Sequence, residues 1–167
     1  MGPLRAPAGS TPVSGMVRLV EPGGATVWLV AQVPEAADAR VLKELGLAAV
    51  AVEQPNDTAR MLAAGLRCCW ADPLDAPWPG VDVPGDMVIG VFRELTGGRE
   101  EASQHRAAVA ALRRLHAAGW LLFDEVAWRV RLGPRVALWS PADLSVLRQL
   151  WRSMTPPPPG PGRGDAE

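Results

Sequence analysis

The sequence predicts a mixed α/β protein in which a small α/β unit is followed by an α+β module, and three observations carry that expectation. Short runs rich in β-branched residues alternate with stretches of helical hydrophobic periodicity. A cluster of prolines (Pro73, Pro77, Pro79, Pro84) interrupts both patterns. Beyond it, the strand-helix alternation gives way to helices followed by strands. The expected organisation is a disordered tail over residues 1–14, the α/β unit over 15–71, a Pro-rich linker over 72–84, the α+β module over 85–154, and a disordered Pro-rich tail over 155–167.

Residues 16–20 and 26–33 read as strands, joined by Glu21-Pro22-Gly23-Gly24 as a hairpin turn. Pro34 suits the first turn of a helix that Gly46 stops. Residues 48–53 read as a buried strand, Asn56 as the cap of a helix through Ala64, and residues 66–70 as another short strand. After the prolines, residues 86–95 predict a helix ended by Gly97-Gly98, and residues 99–118 a longer one carrying Ala108, Leu112 and Leu115 on one stripe. Residues 120–123, 126–132 and 135–139 alternate as strands, turning at Asp124-Glu125 and at Gly133-Pro134. Ser140-Pro141-Ala142-Asp143 matches a capping box opening a last helix with Leu144, Leu147, Leu150, Trp151 and Met154 on one side.

Composition narrows the function. At 48% hydrophobic and 21% charged, the chain has the make-up of a packed soluble protein. No apolar run is long enough to cross a bilayer, and the first residues lack a secretory apolar core, so no membrane association and a cytoplasmic location are expected. Cys68 and Cys69 are the only cysteines, which excludes a disulfide scaffold or a cysteine-based zinc module. As strand residues they would face opposite ways, with at most one buried. His105 and His116 lie about 16 Å apart along one helix, too far to share a metal. With no carboxylate pair, Ser-His-Asp set or phosphate-cradling loop in view, the chain reads as non-enzymatic, with no cofactor and no metal.

Charge is uneven along the chain. Residues 1–83 hold six basic against nine acidic groups, whereas residues 84–155 hold ten against seven, a net of +3. A local basic excess is the footprint expected of nucleic-acid contact.

The string AALRRLHAAGWLLFDEVAWRVRLGPRVALW, residues 110–139, resembles the end of a winged helix-turn-helix domain, in which a recognition helix closed by glycine leads into wing strands. With its flanking helices the resemblance covers about 70 residues. It implies a DNA-contacting row of Arg106, Arg113 and Arg114 on the helix and Arg129, Arg131 and Arg135 on the wing. Arginine forks to guanine or phosphate, and Arg129 and Arg131 alternate with apolar neighbours, which places them on one strand face. The acidic tip Asp124-Glu125 would repel phosphate, while the Gly133-Pro134 tip, flanked by Arg131 and Arg135, would not.

The first half carries a second resemblance. AAVAVEQPNDTARMLAAGLRCCWADPLD, residues 48–75, is similar to the middle of a Rossmann-like nucleotide-binding domain, which implies Glu53 at the ribose and Asp72 beside the third strand. The first strand-to-helix turn lacks the glycines a pyrophosphate requires, so this unit reads better as a packing or dimerisation scaffold.

Three functions therefore stand as expectations. The first is transcriptional or architectural binding of double-stranded DNA, acting as a homodimer. The second is a protein-protein adaptor whose winged helix docks a partner protein through Trp78 and Trp151. The third is a nucleotide response through Glu53.

Overall fold

The computed structural model describes residues 2–32, 56–98 and 100–157. Strands β1 (Leu4–Pro7), β2 (Met16–Val20) and β3 (Thr26–Ala31) form an antiparallel sheet in the order β1-β3-β2. The β2–β3 hairpin turns where expected: Glu21 N–H donates to the Thr26 carbonyl, and Gly23 and Gly24 take the positive φ values the tight turn demands. The first strand is a correction, since residues 1–14 were expected to be disordered. Ladder pairing uses backbone groups, and Pro7 sits at the strand end. A Pro- and Ser-rich segment can therefore join a sheet without showing the alternation by which strands are read.

Helix α1 (Asp57–Cys69) begins at Asn56, whose side chain accepts from Ala59 N–H at 2.9 Å as the cap reading required. It then runs through residues 66–69, which the sequence reading assigned to a strand. Gly65, just past the expected helix end at Ala64, is a close-approach position: a Cβ there would lie 2.7 Å from Leu121 Cδ2. With that segment helical, the strands found among the described residues are antiparallel, and the parallel Rossmann-like order is not seen there. The expected helix after Pro34 and the strand at 48–53 lie outside the described residues.

The rest of the chain adds β4 (Val83–Pro84), α2 (Gly85–Thr96), α3 (Glu101–Ala118), β5 (Leu121–Asp124) and β6 (Arg129–Leu132), then a 3-10 turn (Pro134–Leu138) and α4 (Pro141–Ser153). The second sheet is antiparallel in the order β4-β6-β5. Gly119 closes α3 in the left-handed conformation, φ 81°. Ser140 and Asp143 form the predicted capping box of α4.

Two strand expectations fail here. Residues 126–128 belong to the β5–β6 turn, where Asp124 Oδ1 accepts from Val126 and Ala127 N–H. Residues 135–138 are a 3-10 turn, because Pro134 has no N–H to extend a ladder and suits a helix's first position.

One apolar core joins α1, α2, α3 and the second sheet, with Trp70, Phe92, Leu112, Leu115, Leu121 and Leu132 almost fully buried. It runs through the stretch expected to be a linker: Pro77 is buried, Trp78 packs on the core and Val81 N–H donates to the Cys69 carbonyl. Among the described residues, no helix is long and apolar enough to cross a membrane.

Candidate partner interface

Helix α3 presents Ala102, Arg106, Arg113, Arg114 and Ala117 to solvent, and the β5–β6 turn stands beside it. The six arginines of the expected DNA row do not form one solvent-facing ridge. Arg106 is exposed with no carboxylate on it among the described residues. Arg114 is exposed and donates from Nε to Thr58 Oγ1 at 3.1 Å. Arg113 is fixed on the hairpin tip, where Nε donates to Glu125 Oε1 at 3.0 Å and Nη2 makes a second bond to the same oxygen. That hydrogen bond holds the Glu125 carboxyl below its ordinary range and raises the guanidinium.

The strand arginines are more fully committed. Arg129 gives Nε to Asp82 Oδ2 and Nη2 to the Asp82 carbonyl, both at 2.8 Å. Arg131 gives Nη2 to Glu21 Oε2 at 2.8 Å and lies over the Trp78 ring at 5.3 Å. Arg135, expected on the wing, is 3% exposed and packs over the Trp120 ring at 5.7 Å, and burial lowers its affinity for a proton. The favourable tip is lost with it. Gly133 donates to the Trp120 carbonyl, and Gly133, Pro134 and Arg135 are all buried. What remains at the tip is acidic and apolar: Asp124 and Glu125 are exposed, and Val126 is 99% exposed.

The two tryptophans expected at a partner interface are occupied within the fold. Trp151 donates from Nε1 to the Trp70 carbonyl at 3.0 Å, and Arg67 lies over its ring at 4.0 Å. Trp78 packs on the core and under Arg131. Asp72 serves an exposed turn, accepting from Leu74 N–H at 2.8 Å. Glu53 lies outside the described residues.

Sequence reasoning missed Glu21. Read only as part of a turn, it is 8% exposed; Oε1 takes Trp28 Nε1–H and Oε2 takes Arg131, 110 residues away. Between the first sheet and the β5–β6 hairpin lies an open cleft of about 730 Å³, with Arg5, Trp28, Leu122, Asp124, Arg129 and Arg131 on its walls.

Other candidate chemistry is absorbed by structure. His105 stacks near Trp128, and His116 Nδ1 accepts from Phe123 N–H at 3.0 Å. Cys68 and Cys69 are both buried, contrary to the strand reading; burial pushes the Cys68 thiol up to about 12 and raises Cys69 as well. No group of three or more His, Cys, Asp or Glu residues that could hold a metal occurs among the described residues. No family model, curated protein or solved structure matches this chain.

Proposed function

We propose that the chain is a non-enzymatic adaptor in which the elements from α1 through β6 form a winged-helix module that docks a partner protein. The order helix, strand, helix, helix, strand, strand, with the last strand central in the sheet, supports the winged-helix reading. The observation that favours a protein partner over DNA is the hairpin tip. A wing meeting a duplex needs free cations at its end, and this one offers the Asp124 carboxylate, an Arg113 already paired with Glu125, and a fully exposed valine. An apolar side chain rimmed by charge is the pattern of a protein contact.

DNA binding is kept as a second reading on one observation, the exposure of Arg106 and Arg114 on α3 with no carboxylate partner among the described residues. A photo-reactive side chain at Val126 separates the two. The adaptor reading predicts a covalent product with a protein in extract of the source cell, reduced by Val126→Asp introduced beside a probe at position 127. A product with nucleic acid, or none at any hairpin position, would contradict it.

A further inference from the structure

The β5–β6 hairpin closes on a residue whose backbone conformation its own side chain disfavours. Asp124 and Arg129 are the last paired positions, so Glu125, Val126, Ala127 and Trp128 make the loop. Trp128 ends it at φ 54°, the one non-glycine residue in the left-handed region among the described residues. Glycine or asparagine suits such a position, whereas a bulky side chain there is strained. The contacts of the indole show what holds it. Its Nε1 donates to Asp86 Oδ1 at 2.8 Å, and its ring stacks near His105 at 6.1 Å and meets Phe123 edge-on at 5.4 Å. The Trp128 carbonyl accepts from Gly85 N–H at 2.8 Å. One residue thus ties the hairpin to the first turn of α2, to α3 and to β5. Gly85 is part of the seat, since a Cβ there would lie 2.9 Å from the indole Nε1.

We propose that Trp128 is the positioning residue of the hairpin tip, fixing Val126 in one pose relative to α2 and α3 so that a partner meets a preformed contact. This rests on the adaptor reading, whose tip it concerns, and specifies how that tip is held ready. A turn set by local backbone preference alone would be tightened by glycine at position 128. A turn held by the indole is loosened by the same change, so the two explanations differ in sign. An ordered tip has less freedom to lose on docking, and position 128 therefore governs affinity through the pose of Val126.

The test measures backbone amide order parameters in the full chain by NMR relaxation, for the wild type and for Trp128→Gly, Trp128→Phe, Asp86→Asn and Asp86→Ala. Amides of residues 125–127 should stand at about 0.85 in the wild type and fall below about 0.6 in Trp128→Gly, while those of α1 and β6 stay unchanged. Asp86→Asn keeps an acceptor and should preserve the order. Trp128→Phe keeps a ring without the N–H and should fall between. Asp86→Ala leaves the indole in place, should loosen the tip by itself, and serves if the glycine variant does not fold. A tip that stays rigid in folded Trp128→Gly or Asp86→Ala, or loosening spread evenly over α3 and β6, would overturn the proposal. The photo-reactive probe at Val126 gives a second readout: its protein product should drop roughly tenfold in Trp128→Gly. An undiminished product from a loosened tip would overturn the proposal as well. No product from the wild type contradicts the adaptor reading alone, because the order of the tip is measured without a partner.

Discussion

The two sheets of this molecule are attached to it by different forces. The β4-β6-β5 sheet shares the core of α1, α2 and α3, with Leu121, Val130 and Leu132 almost wholly buried. In the β1-β3-β2 sheet, Val27 and Val30 are the buried apolar side chains, and neither belongs to that core. Among the described residues, the first sheet meets the rest at Glu21 on Arg131, at the approach of Pro3 to Gly119, and where β3 contacts the 3-10 turn. One sheet is part of the core; the other is latched to it. Of the strand cations that a duplex would need, the latch consumes Arg131, while Arg129 is held by Asp82 beside β4.

The largest expected effect lies in the shared core. Phe92→Ala should cost about 3–5 kcal/mol, read by urea denaturation, and a loss below 1 kcal/mol would mean the core is looser than its burial implies. Close behind come the thiols. With Cys68 pushed up to about 12 by burial, its thiolate fraction at pH 8 falls roughly a thousandfold below that of a free thiol. Native protein should therefore resist Ellman's reagent until denatured. Because the unfolded chain loses its thiol protons first, stability should fall as pH rises from about 9 towards 12.

The latch should give a smaller, local effect. Glu21→Ala removes two charge-assisted hydrogen bonds, and opening of residues 16–31 should become easier by roughly 1–3 kcal/mol in hydrogen exchange. Amides of α1 and α3 should be unaffected; a uniform loss across the chain would show that the two sheets form one cooperative unit. Least of all, Arg113→Ala should leave the melting temperature unchanged, since its pair with Glu125 is exposed and screened.

What could be read from the sequence was local chemistry. The Asn56 cap, the Ser140 capping box, the Gly119 stop and the β2–β3 turn each depend on a few neighbouring residues, and each was legible. Failures came where a distant partner decides. Residues 66–69 suit a strand by composition but are held helical within the core, over a glycine kept small by Leu121. The strand at Leu4–Pro7 depends on β3, and the pairing of Glu21 with Arg131 spans most of the chain. For the candidate site, the sequence placed the arginines on the correct elements at Arg106, Arg113, Arg114, Arg129 and Arg131. It could not show which carboxylates meet them.

Arg113, Arg129 and Arg131 are committed inside the fold, and duplex binding against salt measures that directly. Anisotropy of a labelled random duplex of roughly 20 base pairs, from about 50 to 200 mM salt, should show at most weak association with a shallow salt slope. Tight binding at low salt that weakens by about a thousandfold across that range would show the arginines reaching phosphate, and would contradict it.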